Sequence, residues 1–282
     1  MDVIKTVCVC GAGTMGSGIA QVCATAGFRS VLYDLDKETL QKAKKNIENN
    51  LIKLVERQKF SETEQQLVLQ RLQFTSDIDK CIGEIIIEAI VEKAEAKISL
   101  FNQLVAINNN QTIFASNTSS LSITEIAKAL KAPEKMIGLH FFNPAPLMKL
   151  VEVVKTAFTK EHTLQTVVSF IRSLNRTHVI CNDSPGFIVN RVARPFYIES
   201  LRLIEEGKAS FEIIDKLLEN RGFKMGPFKL MDLIGNDINY AVSRSVYEQL
   251  EKPARLQPSD IQKEKVEKGE LGKKTGKGYY QY

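Results

Sequence analysis

Three glycines at fixed spacing, Gly11, Gly13 and Gly16, come directly after VIKTVCVC at positions 3–10. That run of β-branched residues and cysteines reads as a buried strand. The residues that follow, TMGSGIAQVCATAG, read as a helix in which Ile19, Val22 and Cys23 face a core and Gly27 marks the stop. FRSVLYD is then a second strand, ending at Asp34. Strand, helix and strand within about 30 residues make a βαβ unit, so a parallel sheet is expected.

This setting gives meaning to a GxGxxG spacing that is weak when met alone. The first glycine permits a tight turn, the second lets a pyrophosphate approach the backbone, and the third lets helix and strand pack closely. Backbone N–H groups at the helix start, at Thr14 and Met15, then face the phosphates. Asp34 lies 18 residues after Gly16 and is placed to accept hydrogen bonds from an adenosine ribose. Its charge opposes a 2′-phosphate and favours NAD over NADP, while Lys37 nearby works the other way. FAD uses the same fingerprint. The alternative is that the glycines only shape a turn and Asp34 caps the next helix.

From Asp36 to Leu72 the pattern is helical, with Leu40, Ile47, Leu51, Leu54 and Val55 on one face and a capping box at Ser61 and Glu64. It reads as a helical hairpin inserted between strands. Further strands are expected at GEIIIEAI, QTIFAS, KMIGLH and LMKLVEVV. Helices such as KAEAKISLFNQLVAI and TEIAKAL separate them, the latter behind a second capping-box pair, Ser122 and Glu125. After DSPGF the chain is almost wholly helical, with Pro185 at a helix start, Pro195 as a kink, and Gly207 and Gly222 at helix ends. The fold class is therefore α/β: a Rossmann-type, mostly parallel sheet with an inserted helical hairpin over residues 1–184, followed by an all-α C-terminal domain over 185–282. The terminal GELGKKTGKGYYQY does not meet the order of a phosphate loop and is expected to pack as an ordered tail.

Composition narrows the function classes. A length of 282 residues suits one large domain or two ordinary ones, and 44% hydrophobic with 25% charged residues argues against disorder. No window approaches the roughly 18 consecutive apolar residues of a membrane span. A net charge of +5 favours at most a small polyanion and is too dispersed for a nucleic-acid surface. Five cysteines without a CxxC pair, and no secretory pattern, point to reduced thiols in the cytoplasm. Three histidines without paired spacing give no support for a zinc site.

Three polar side chains fall where parallel strands should end: Glu92, Ser119 and His140. Glu152 lies among apolar neighbours in KLVEVV, where a carboxylate is costly to bury without a partner. The intervening FFNPAPLM, with two prolines, is read as returning the chain so that Glu152 meets His140. Such a pair suits alcohol oxidation, because a histidine of ordinary pKa about 6.5 takes a hydroxyl proton near neutrality and a carboxylate stabilises the imidazolium. The alternative is a satisfied core histidine. His162 and His178 lie in polar stretches and carry no assigned role.

The motifs GAGTMGSGIA, FASNTSSLSIT, GLHFFNPAPLMKLVEV, DSPGFIVNR, MGPFKLMDLIG and LGKKTGKGYY run in this order along nearly the whole chain. In them the chain resembles the short-chain L-3-hydroxyacyl-CoA dehydrogenases, most closely the bacterial 3-hydroxybutyryl-CoA enzymes. The resemblance implies NAD as cofactor, an acyl-CoA substrate and a cytoplasmic homodimer. It implies His140 as catalytic base and Glu152 as its charge partner, with Ser119 on the substrate 3-oxygen. Asn190 would line the same site from the second domain. It also places Glu92 and Lys97 near the nicotinamide end of the cofactor. It places the CoA adenosine phosphate near the hairpin, where Lys45, Lys53, Arg57 and Lys59 are basic. The dimer face it implies has Ile198, Leu201, Ile204, Ile213 and Leu217 available. The length leaves no room for a fused hydratase domain, and the direction of the pathway, fatty-acid breakdown or synthesis toward butyrate, stays open. Two other readings stand beside this one: a related dehydrogenase of a free hydroxy acid, of the gulonate type, and a non-catalytic NAD-binding protein on the same fold, as among crystallin relatives.

Overall fold

The computed structural model describes residues 4–282. The chain divides into two compact units, one ending at Asp183 and the other beginning at Ser184, one residue ahead of the expected boundary.

The first unit runs β1 (Thr6–Cys10), α1 (Thr14–Thr25), β2 (Arg29–Tyr33), α2 (Lys37–Glu56), α3 (Glu62–Arg71), β3 (Leu72–Thr75), β4 (Ile85–Glu88) and α4 (Ala94–Ile107). It continues with β5 (Ile113–Ser116), α5 (Ile123–Lys128), β6 (Met136–Phe141), β7 (Leu150–Lys155), α6 (Glu161–Ser173) and β8 (Thr177–Asn182). All eight strands form one sheet in the order β3-β2-β1-β4-β5-β6-β7-β8. Every neighbouring pair is parallel except β6 and β7. Strands β4, β5 and β6 are buried at every position, which is why they read as continuous apolar runs. The strand order reverses between β1 and β4. The loops that leave these two strands therefore diverge and open a crevice at their carboxyl ends.

The hairpin of α2 and α3 stands as expected, and Ser61 and Glu64 make both halves of the capping box. At α5 only half of the second box forms. Ser122 Oγ accepts from Glu125 N–H, but Glu125 turns to Lys128, and Asp183 takes the Ser122 hydroxyl and the Thr124 N–H instead. Leu72, expected to end the hairpin helix, instead opens strand β3, because Leu72–Thr75 pair in register with Ser30–Tyr33 of β2. Strand β8 was not expected either. It has no apolar alternation and is held by parallel pairing with β7 along its whole length.

The second unit is helical: α7 (Val189–Glu205), α8 (Phe211–Asn220), α9 (Pro227–Ile234), α10 (Asn236–Gln249) and α11 (Asp260–Glu267). Pro185 does not open α7. Gly186 takes φ +75°, outside helical space, so the chain turns through 185–188 and the helix begins at Val189. Pro195 lies inside α7, as expected. Of the apolar residues expected on a dimer face, Ile198 and Leu201 are buried in the unit's own core and Ile204 packs against it. Only Ile213 and Leu217 stay open, 62% and 58% exposed. The stripe on α7 is consumed locally because a helix this amphipathic buries its apolar face against its own neighbours.

Two buried aspartates organise this unit. Asp215 accepts from the N–H groups of Phe228 and Lys229 at 2.9 and 3.0 Å, which caps α9. Asp232 accepts from the N–H groups of Tyr279 and Tyr280, both at 2.9 Å, and so ties down the C-terminal tail. A side chain at Gly278 would meet Asp232 Oδ1 at 2.0 Å, so the tail lies flat only because that residue is glycine. Among the described residues no helix is long and apolar enough to cross a membrane.

Replacing Asp232 with alanine strands both tail N–H groups, each costing about 1–3 kcal/mol when buried unpaired. Asp232→Ala is expected to lower the unfolding midpoint and release residues 277–282 to proteolysis. A variant with unchanged midpoint and an intact tail would refute the anchor.

Candidate active site

The glycine loop closes through contacts that leave no space for side chains at two of its three positions. Gly11 takes φ +104° and donates its N–H to Tyr33 O at 2.7 Å, and a Cβ there would stand 2.5 Å from Ala89 O. A Cβ on Gly16 would lie 1.7 Å from Gly11 O. Gly13 differs: a Cβ there meets nothing within 4 Å. It is also the N-cap of α1, and no side chain caps that helix. The amides of the first turn, including those of Thr14 and Met15, therefore face outward for an anion. The Met15 side chain itself packs on the core.

Asp34 braces this loop. Its Oδ2 accepts from Ala12 N–H at 2.7 Å and its Oδ1 from Asp36 N–H at 2.9 Å. A carboxylate has about four lone-pair sites, so hydroxyl groups of a ribose still find acceptors there. Open glycine, uncapped amides and acid together fit an adenine dinucleotide.

A cleft of about 630 Å³ runs beside the loop, walled by the start of α1, one face of α2 and residues 143–147. Lys42, Lys53 and Arg57 stand on the α2 wall with Asn46 and Asn50 between them. Of the expected basic residues, Lys53 and Arg57 reach this wall, but Lys45 and Lys59 do not. At about 100° per residue, Lys45 sits roughly 80° around α2 from Lys53, whereas Lys42 is only about 20° away. Lys59 lies past the helix end, its N–H on Leu54 O. Opposite, Gly18 lets Pro146 and Ala145 approach α1, at 3.1 and 3.2 Å from where its Cβ would be. Arg176 Nη2 donates to the carbonyls of both loop residues.

The return of the chain from β6 to β7 sets His140 directly opposite Glu152 in the antiparallel register. Both side chains are buried, with His140 Nδ1 2.7 Å from Glu152 Oε2. A carboxylate only accepts, so Nδ1 donates in this pair and Nε2 is the ring nitrogen turned toward the loop after β5. Ser119 Oγ lies 3.0 Å from that Nε2. The carboxyl ends of β5 and β6 thus supply a hydroxyl and a base side by side, and β7 orients the base.

A second network holds the backbone of Ser119. Glu88, buried at the end of β4, accepts from Lys97 Nζ at 2.6 Å and from Ser116 Oγ at 2.6 Å. Lys97 also pairs with Glu92 at 3.1 Å. Glu92 accepts from the Thr118 hydroxyl, from Ser119 N–H at 3.1 Å and from Ser120 Oγ at 2.9 Å. Burial pushes the Glu88 carboxyl above the ordinary range despite Lys97. Burial also works to raise Glu92, but Lys97 and the Thr118 hydroxyl outweigh it and hold that carboxyl below the ordinary range. Lys97, expected beside the cofactor, is 1% exposed, and its ammonium lies between the two acids. Glu88 escaped the sequence reading, although a carboxylate closing the apolar run IIIE is the same signal that singled out Glu152. Asn190 lies in the first turn of α7, in the second unit, where its carbonyl accepts from Arg194 Nε at 2.9 Å.

Residues 6–184 match the family described as 3-hydroxyacyl-CoA dehydrogenase, NAD binding domain. Residues 186–282 match 3-hydroxyacyl-CoA dehydrogenase, C-terminal domain. A 3-hydroxyadipyl-CoA dehydrogenase of Escherichia coli (strain K12) is 44% identical over 281 residues, covering 99% of this chain and 59% of that protein, so the chain spans little more than half of that relative. The mitochondrial hydroxyacyl-coenzyme A dehydrogenase of Sus scrofa is 42% identical over 288 residues, covering 99% of this chain and 91% of that protein. The crystal structure of (S)-3-hydroxybutyryl-CoA dehydrogenase from Ralstonia eutropha superposes with a TM-score of 0.95 at 35% identity, over 99% of each chain.

Two alanine variants separate scaffold from ligand surface. Gly16→Ala is expected to destabilise the protein by about 1–3 kcal/mol or more, as overpacking does, read as a shift in the denaturant midpoint. Gly13→Ala should stay within about 0.5 kcal/mol of the parent yet bind NADH more weakly by fluorescence titration. Equal midpoints for the two would overturn the packing account of the loop.

Proposed function

The chain belongs to the 3-hydroxyacyl-CoA dehydrogenase family, and from that membership we propose that it interconverts an L-3-hydroxyacyl-CoA and the matching 3-oxoacyl-CoA with NAD. The 3-hydroxybutyryl ester is the proposed short-chain substrate. The observation that carries this reading is the buried His140–Glu152 pair with Ser119 Oγ on Nε2.

The glycine loop, the α1 amides and Asp34 would hold NAD, which when bound supplies the acceptor for a hydride in oxidation and its donor in reduction. His140 Nε2 takes the proton of the substrate 3-hydroxyl as the carbonyl forms, and returns it in the reverse direction. Glu152 keeps the Nδ1 proton in place and stabilises the imidazolium in a buried site. Ser119 Oγ hydrogen-bonds the same substrate oxygen. Glu92, with Lys97 behind it, fixes the backbone of Ser119 for that contact. Asn190 is proposed as a further substrate-site residue.

Lys53, with Lys42 and Arg57, is proposed to take the CoA phosphates in the cleft along α2. Lys59 is left out of that set. This basic wall favours a CoA ester over a free hydroxy acid, and the hydroxyl–base–acid set favours catalysis over a silent NAD-binding protein. The first unit acts as the dinucleotide domain and the second as the substrate and dimerisation domain. Exposed Ile213 and Leu217 on α8 support a homodimer face. Unpaired cysteines throughout support a reducing, cytoplasmic setting.

Purified protein is expected to consume NADH with acetoacetyl-CoA. His140→Gln should lower kcat by about 10² to 10⁴-fold, the usual worth of general acid–base help, with NADH affinity unchanged. Undiminished turnover would remove His140 from the chemistry. Arg57→Ala should raise KM for acetoacetyl-CoA and leave the truncated S-acetoacetyl-N-acetylcysteamine unaffected. Equal loss on both substrates would move the CoA phosphates elsewhere.

A further inference from the structure

Cys8 and Cys10 alternate with Val9 along β1, so both thiols leave the sheet on the same face. Their Sγ atoms stand 4.0 Å apart. Cys81, which follows a single 3₁₀ turn at Ile78–Lys80, brings a third thiol, and all three Sγ atoms lie within 4.8 Å of one another. All three residues are fully buried and free of disulfides. The dinucleotide loop, the basic cleft and the His140–Glu152 pair use none of them.

We propose that Cys8, Cys10 and Cys81 form a three-sulfur site for a soft monovalent metal ion of the copper(I) class. Thiolates select soft ions, copper(I) and zinc before magnesium, calcium or manganese. Coordination number then separates the first two. A buried structural zinc takes four ligands, whereas the cluster holds three and no histidine or carboxylate joins it among the described residues. The Cys8 and Cys10 sulfurs, 4.0 Å apart, would subtend roughly 120° at an ion about 2.3 Å from each, the angle of trigonal planar coordination.

Formation of the site needs no electron transfer. Copper arrives and remains as Cu(I), the ligands that carried it are released as the copper–sulfur bonds form, and each sulfur bound as thiolate gives its proton to water. Access runs through the segment around Cys81, whose neighbours Lys80 and Ile82 are exposed. Asn108 Nδ2 donates to the Cys81 carbonyl at 2.8 Å and ties this segment to the end of α4. The ion would lie beneath the dinucleotide loop, since Cys10 is bonded directly to Gly11.

The test uses the whole reduced protein under anaerobic conditions. Copper(I), supplied as its acetonitrile complex, is titrated in competition with bathocuproine disulfonate. One equivalent is expected to stay with the protein, and X-ray absorption of that complex should show a shell of three sulfurs. Cys8→Ala, Cys10→Ala and Cys81→Ala should each lose at least tenfold in affinity, while Cys23→Ala and Cys181→Ala retain it. Thermal unfolding checks that each variant is folded, and the absorption spectrum of the parent protein tests the site without any variant. Failure to retain copper against the chelator would overturn the proposal. So would a shell containing nitrogen or oxygen, equal retention by folded Cys81→Ala, or preferential uptake of zinc.

Discussion

A carboxylate inside a buried sheet stays there only if something donates to it, and this chain places two: Glu88 at the end of β4 and Glu152 in β7. Each draws a partner into a fixed position. Glu152 orients His140 through Nδ1, and Glu88 holds Lys97, which in turn steadies Glu92. The two chains of contacts meet at Ser119, whose side chain faces His140 Nε2 and whose backbone N–H is held by Glu92. The hydroxyl beside the base is therefore located by two acids, Glu152 through His140 and Glu92 through the Ser119 N–H. Removing the donor from a buried carboxylate leaves an uncompensated charge, so the geometry is enforced by electrostatics as much as by packing.

Legibility in the sequence followed how local each signal was. The glycine loop with Asp34 was readable because its parts lie within one βαβ unit and Gly11 and Gly16 each have a steric reason. The His140–Glu152 contact was readable because a lone acid in an apolar strand demands a donor and the two prolines between offered a return. Glu88 carried the same demand but sat at a strand end, where an acid looks solvated. Strands β3 and β8 were missed because pairing with β2 and β7, not their own periodicity, makes them strands. The basic residues of α2 were only half readable: charge marks the helix, but angular position decides that Lys42 faces the cleft and Lys45 does not. The apolar stripe on α7 misled because a sequence does not say whether such a stripe meets its own core or another surface.

The helical unit repeats the logic of the sheet with aspartates. Asp215 and Asp232 stand near the two ends of α9, one capping its N-terminus and the other gathering the tail. The Tyr280 hydroxyl reaches Asp215 at 2.8 Å, so the tail also bridges back to the capping acid. Phe211 packs among Phe228, Tyr279 and Tyr280, and closes a small aromatic core over these contacts. Buried polar anchors fix where each segment goes, and aromatic burial makes the arrangement favourable.

The brace between Asp34 and the Ala12 N–H has a consequence for redesign. The carboxylate expected to discriminate between the two nicotinamide dinucleotides is also the acceptor that closes the loop receiving either of them. Exchanging it for a small neutral residue, the usual route toward a phosphorylated ribose, would remove repulsion and at the same time unlatch the loop. Cofactor preference and loop rigidity are thus linked through one side chain. A successful switch has to restore an acceptor for that amide before it adds a cation for the phosphate.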